Sequence, residues 1–347
     1  MSFPSVSCLR PLWLLILCVL AGIVAGCSKP ADARSGGSGP GGADEIKIGF
    51  LVKAPESTWF QYEWKFAEEA GRDLGFSVIK IGATDGEKVL AAIDNLAANG
   101  AQGFVICTPD TRLGPAVMNK AKAANLKVIA VDDQFITADG QPMKDVPYLG
   151  ISARQIGEDV GNKLADEMEK RGWTAADTAV CAVTFDELAT TKERTDSSIR
   201  VLTARGFPAS RIFRAPQRTA DIPGGFDAMN TLLTKEPGVK HWLICGINDN
   251  AVLGAVRALE GRGHAPESSI GIGIDGTDCI DELEKANPTS FYGSMLLQSR
   301  RHGYETAELM YRWIKEGVQP PLDTRTAGVF ITRENFRQVL KEQGLRD

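Results

Sequence analysis

Polar side chains gather where the apolar, β-rich runs of this chain end, and their types suit a small polyol. Lys53 follows IKIGFLV (46–52), Asp132 and Asp133 end KVIAVDD (127–133), Asn248 ends HWLICGIND (241–249) together with Asp249, and Asp275 ends IGIGIDG (270–276). In open α/β sheets, ligands bind beyond the carboxyl ends of the strands. Just past Lys53 stand the adjacent rings of Trp59 and Phe60, and Arg194 falls on the first turns of the helix that follows AVCAVTF (179–185). Planar acid, amide and guanidinium groups grip vicinal hydroxyls through paired hydrogen bonds, and charge assistance makes each worth about 1.5–3 kcal/mol. A flat ring covers the apolar C–H face of a sugar. Each residue also has a plainer reading. Asp and Asn at strand ends cap the following helix, the reading preferred for Asp249 and Asp278, and Trp59 alone could be core. A whole set converging from two halves of the chain favours a monosaccharide site.

The elements that must hold these residues alternate. After Glu45 the runs 46–52, 77–82, 103–108, 127–133 and 148–152 are separated by helical spacing over 59–74, 87–98 and 112–124, and a helix at 155–170 follows. A second series places strands at 179–185, 212–216, 241–249 and 270–276, with helices near 189–205, 223–235 and 249–261. The run 291–297, a helix near 302–316 and the extended run 329–336 close the chain. Short apolar strands alternating with helices predict parallel sheets covered on both faces, here as two Rossmann-like, doubly wound lobes. The chain's 347 residues fit two domains, and 43% hydrophobic with 24% charged residues excludes wholesale disorder. A net charge of −5, with no basic block, argues against nucleic acid.

The first 44 residues are of another kind. Arg10, the apolar run 12–24 and the small residues Ala25 and Gly26 predict a signal peptide over 1–26. Val24-Ala25-Gly26-Cys27 resembles the lipobox of bacterial lipoproteins, which makes Cys27 the expected lipidation site and a membrane anchor. With Cys27, the Gly- and Pro-rich stretch to residue 44 forms a flexible linker of roughly 20–25 Å reach. Cys8 and Cys18 leave with the signal. Cys107, Cys181, Cys245 and Cys279 remain, without any C-x-x-C, and buried free thiols are the expected state.

Motifs for catalysis are weak. Gly271-Ile272-Gly273-Ile274-Asp275-Gly276 formally matches the dinucleotide fingerprint, but its first two glycines alternate with isoleucines inside a strand rather than opening a helix. His241, His264 and His302 are far apart in sequence; His241 at a strand start and His264 in a glycine-rich turn suit structural roles. No nucleophile and base pair up, so no enzyme, metal or cofactor is expected.

The strings KIGFLVK (47–53), GFVICTPD (103–110), KVIAVDDQF (127–135) and GFP (206–208), with the spaced matches around Trp59–Ala67, 221–228 and 240–249, closely resemble the pentose/hexose-binding family of type I periplasmic solute-binding proteins. The resemblance covers about Glu45 to Leu345. It implies a periplasmic binding protein-like I fold whose two lobes are joined by three crossings near 150–152, 296–298 and 326–328. The lobes would then be 45–150 plus 298–326 and 151–297 plus 327–347. It also implies a monomeric receptor that closes around an aldose, L-arabinose or a relative such as D-galactose, and hands it to the permease of an ABC-type importer. A sensor presenting the same closed form to a chemoreceptor or kinase is the alternative. A repressor would need a DNA-binding helix pair where the signal stands. Family sugar contacts fall on Lys53, Trp59, Phe60, Asp133, Arg194 and Asn248, with Asp132, Cys107, Leu188 and Thr190 in or beside the pocket. Several positions depart from the family. Ser57, with Glu56 adjacent, replaces an acidic contact, and Asp275 replaces an asparagine. Ile151 and Ile247 replace pocket methionines, and Leu297 a proline near the hinge. Because an ionised aspartate only accepts, Asp275 should face a hydroxyl that donates, or share its charge with Arg194.

Overall fold

The computed structural model describes residues 45–346. The segments expected as signal and linker, and the expected lipidation site Cys27, lie outside the described residues. In chain order the elements are β1 (Lys47–Val52), α1 (Thr58–Leu74), β2 (Ser77–Gly82), α2 (Gly86–Ala98), β3 (Gly103–Ile106), α3 (Gly114–Ala123), β4 (Lys127–Asp132) and β5 (Tyr148–Ile151). Then come α4 (Ala153–Lys170), β6 (Thr178–Thr184), α5 (Ala189–Ala204), β7 (Ile212–Pro216), α6 (Ile222–Lys235), β8 (His241–Gly246), α7 (Asp249–Gly261), β9 (Ser269–Asp275), α8 (Ile280–Glu284) and β10 (Phe291–Leu296). A π-helical turn (Arg301–Glu305), α9 (Thr306–Glu316), β11 (Thr324–Thr326), β12 (Val329–Thr332) and α10 (Phe336–Glu342) complete the order.

These elements build two six-stranded sheets, β11-β5-β4-β3-β1-β2 and β12-β10-β9-β8-β6-β7. Every pairing is parallel except β10 with β12. The central strands are buried on both faces, as unbroken apolar runs require when helices cover a parallel sheet. In each sheet the winding reverses between the first and third strands, β1 with β3 and β6 with β8. Such a switch point opens a crevice beyond the strands' carboxyl ends. Because β11 returns to the first sheet and β12 to the second, the chain passes between the sheets three times.

Where the described elements differ from expectation, the cause is local. The run 329–336 divides, because the Asn335 side chain accepts the Thr332 N–H at 2.7 Å in a turn that separates β12 from α10. The short β11 and α8 carry no apolar run of their own. Cys107, Cys181, Cys245 and Cys279 are free and buried.

Candidate functional site

At the first switch point, Asp133 gathers donors from both lobes. The Lys53 ammonium, just past β1, donates to its Oδ2 at 2.5 Å, and the Thr190 hydroxyl, on α5 beside the second sheet, donates to Oδ1 at 2.8 Å. The Cys107 thiol lies 3.8 Å from Oδ2. Burial alone would lower the Lys53 pKa. The Asp133 carboxylate, by charge and by hydrogen bond, with the Asp132 charge behind it, outweighs burial and holds the ammonium above its ordinary value. Burial pushes the Cys107 thiol well up, so it remains a neutral thiol. The Thr190 bond spans the cleft directly.

Trp59, on the first turn of α1, donates its indole N–H to Asp132 Oδ2 at 3.1 Å, and its ring packs against the cores of both sheets. Phe60 is buried among Val52, Val105 and Cys107 in the first sheet's core. Asp132 adopts a left-handed backbone, φ 63°, which short polar side chains tolerate and others resist. Its other oxygen meets the ring of His302, Nδ1 to Oδ1 at 2.6 Å, and its main-chain carbonyl accepts the Tyr148 hydroxyl at 2.6 Å. Burial would raise the Asp132 pKa. The His302 ring, the Trp59 N–H and Lys53 outweigh it and keep the carboxylate below the ordinary range.

On the opposing lobe Arg194 is almost fully buried. Its Nη1 donates to the Ile247 carbonyl at 2.6 Å and lies 3.8 Å from Asp275 Oδ1. Its buried Nε has no acceptor among the described residues. Asn248 caps α7, accepting the Ala251 N–H at 2.9 Å and donating to the Ala220 carbonyl at 3.2 Å. The capping expected of Asp249 and Asp278 is therefore corrected. Asp249 is the first residue inside α7, fully buried, and takes the Gly276 N–H at 2.9 Å and the Ser294 hydroxyl at 2.5 Å. It fits because Gly273 has no Cβ, which would stand 2.2 Å from the Asp249 carboxylate. Asp278 accepts from the Asn250 amide at 2.8 Å, and Cys279 takes the cap position of α8. Gly271 and Gly273 of the formal dinucleotide fingerprint thus make room for α7, while Gly276 supplies a positive φ of 77° against Leu296 of β10.

The remaining candidates border this core. Ile151 and Leu188 line a cleft cavity of about 910 Å³ that also touches Lys53, Asp133 and Thr190 and extends outward past Arg112 and Arg325. Ile247 is buried, and Ser57 sits at the N-cap of α1 without using its hydroxyl as a cap. Glu56, the acid beside Ser57, is exposed. His241 stacks on Trp173 with ring centres 4.1 Å apart, the structural role expected.

Two residues escaped the sequence reading. His302 lies in a stretch thick with charge and carries no pattern of burial. Glu63 did leave a signal: it shares the apolar face of α1 with Phe60, Ala67 and Ala70, and an acid on a buried stripe is the informative exception.

Residues 45–339 match the family of periplasmic binding proteins and sugar-binding domains of the LacI family. The chain is 53% identical over 304 residues to the L-arabinose-binding periplasmic protein of Escherichia coli (strain K12), covering 87% of this chain and 92% of that one. It is 47% identical over 302 residues to the ABC transporter L-arabinose-binding periplasmic protein of Azospirillum brasilense, covering 86% and 90%. Among solved structures, a periplasmic ribose ABC transporter protein from Conexibacter woesei superposes with a TM-score of 0.73 at 19% identity, covering 87% of this chain and 97% of that one, and so shares the fold.

Proposed function

The chain belongs to the family of periplasmic binding proteins and sugar-binding domains, and from that membership we propose that it captures an aldose, L-arabinose foremost, between its lobes and delivers it to the permease of an ABC importer. Its close relatives are transport binding proteins and not enzymes, and so is this chain. One observation carries the sugar reading. Around the crevice, buried and half-buried donors and acceptors from both lobes stand beside an indole, and the buried Arg194 Nε lacks an acceptor that a ligand hydroxyl could supply. A buried donor left unmet costs about 1–3 kcal/mol, so a ligand that meets it gains affinity and draws the lobes together.

Lys53, Trp59, Phe60, Asp132, Asp133, Arg194, Asn248 and Asp275 form the proposed contact set, with Ser57, Cys107, Ile151, Leu188, Thr190 and Ile247 around it. The three passages between the sheets act as the hinge. The leader supports a lipid anchor at Cys27 on the outer side of a membrane, and a Cys27→Ala variant is expected to fractionate as soluble protein. Titration calorimetry across pentoses and hexoses tests the sugar. L-arabinose is expected to bind most tightly, while Asp133→Ala and Arg194→Ala remove binding. Silence with every aldose would overturn the reading, and unchanged affinity in both variants would overturn the pocket.

A further inference from the structure

Behind Trp59 lie three titratable groups almost wholly shielded from solvent. Glu63 and His302 are fully buried and Asp132 is 5% exposed. One ligand-type atom from each falls within 4.8 Å of the others. Nδ1 of His302 meets Asp132 at 2.6 Å and lies 3.7 Å from Glu63 Oε1, while Nε2 meets the Thr326 hydroxyl at 2.7 Å. Thr326 in turn reaches the Gly150 carbonyl at 3.3 Å and accepts the Ser152 N–H on its own carbonyl at 2.9 Å. His302 follows the second passage between the sheets, Thr326 opens the third and Gly150 with Ser152 forms the first. One cluster therefore ties all three strands of the hinge to the carboxylate that holds Trp59.

Glu63 is the unsolved member. Neither of its oxygens has a donor among the described residues, and the group it faces is the Asp132 carboxylate, another acceptor. Two acceptors buried together are satisfied by one proton between them. Asp132 is already engaged by His302 and Trp59, so the proton resides on Glu63. Burial, then the Asp132 charge, pushes the Glu63 acid well above the ordinary glutamate value, which agrees with that placement. Around Glu63 stand Asp132, Asp133, Lys53 and Cys107 from the first sheet and His302 from the π-helical turn. That turn presses close because Gly303 has no Cβ, which would stand 2.2 Å from the Glu63 carbonyl oxygen.

We propose that Glu63 is a positioning residue of the sugar site, held as the neutral acid and hydrogen-bonded to Asp132, so that the cluster with His302 and Thr326 locks the hinge passages in register with Trp59. The binding part of this inference rests on the sugar reading; the proton part does not. Deprotonation of Glu63 sets two carboxylates against each other in a dry site, and the lock loosens. The folded state then holds a proton that the unfolded chain releases, so this contribution to stability is full at acid pH and falls as pH rises toward the raised value.

The test compares the wild-type protein with Glu63→Gln, which keeps a donor but cannot ionise, and Glu63→Leu, which keeps bulk and loses both. Without sugar, the infrared difference spectrum of wild type minus Glu63→Gln at neutral pH is expected to show a protonated-carboxyl band, since Asp249 and Asp275 contribute equally to both proteins and cancel. The wild-type melting temperature should fall more steeply than that of Glu63→Gln as pH rises above the ordinary glutamate range. With L-arabinose, Glu63→Gln is expected to bind within about threefold of wild type while Glu63→Leu binds at least about tenfold more weakly, with altered Trp fluorescence. An unchanged acid band and identical pH profiles would overturn the proposal, as would a divalent ion retained in native mass spectra and lost from Glu63→Gln. Should neither variant fold, the spectrum of Asp249→Asn with Asp275→Asn, which removes the other acids that burial raises, still decides. Should no aldose bind, the sugarless measurements still read Glu63.

Discussion

At the end of β9, Asp275 holds its backbone at φ 111°, in a region that side chains resist, and such strain persists where the surroundings over-determine it. From the sequence, Asp275 stands out as an acceptor in place of an amide, obliged to face a donor or to share charge with Arg194. The structure adds a third possibility. Burial pushes its pKa well up; Arg194 opposes this, but the charges of Asp249, Asp278 and Asp132 reinforce it. A neutral carboxyl both donates and accepts, as an amide does. Asp275→Asn is therefore expected to bind L-arabinose within about threefold of wild type where the wild-type acid is neutral, and to keep its affinity as rising pH ionises that acid. Calorimetry across pH checks this, and a hundredfold loss in the variant would refute it. The residue types around the cleft were readable because ligands must lie beyond strand ends. What they bond to was not, since Arg194 with the Ile247 carbonyl, or Thr190 with Asp133, are meetings between distant segments.

The union of α7, β9 and β10 depends on one buried acid. Asp249 clasps the Gly276 N–H after β9 and the Ser294 hydroxyl on β10 from inside the first turn of α7. Burial raises its pKa to about 7; the Ser294 hydrogen bond opposes the shift and Asp278 adds to it. The folded chain thus keeps a proton that an unfolded aspartate has released. Stability from this source is greatest below about pH 4, declines as pH rises to about 7 and is level beyond. Asp249→Asn removes the titration, so its melting temperature relative to wild type is expected to climb across that interval. A constant difference between the two melting curves would refute the assignment. Subtraction also cancels the similar slope expected from Glu63. Elements with long apolar runs or clear helical spacing, such as β1, β8 and α7, were legible to within a residue or two or slightly more. Thr324–Thr326 was not, because three polar or charged residues carry no period, and the π-helical turn at His302 was hidden among arginines.

Across the whole molecule, two lobes could be read from the repeated winding, but their interleaving could not. Periodicity reports what each segment is and not which sheet it joins. The pairing of β11 with β5 and of β12 with β10 makes both lobes discontinuous. A chain ending at residue 320 lacks both strands and leaves two apolar sheet edges uncovered. It is expected to bind no aldose and to be cut rapidly by protease in both lobes; one resistant lobe would show that β11 or β12 is dispensable.

This late arrival of β11 and β12 has a consequence in time. Synthesis delivers the chain at about 5–20 residues per second, amino terminus first, and domains made of continuous sequence fold as they emerge. Here residues 324–332 finish both sheets, so neither lobe can close its edge until nearly the entire polypeptide is available. For a protein made on one side of a membrane and needed on the other, that order of assembly keeps the chain threadable until the synthesis of residues 324–332.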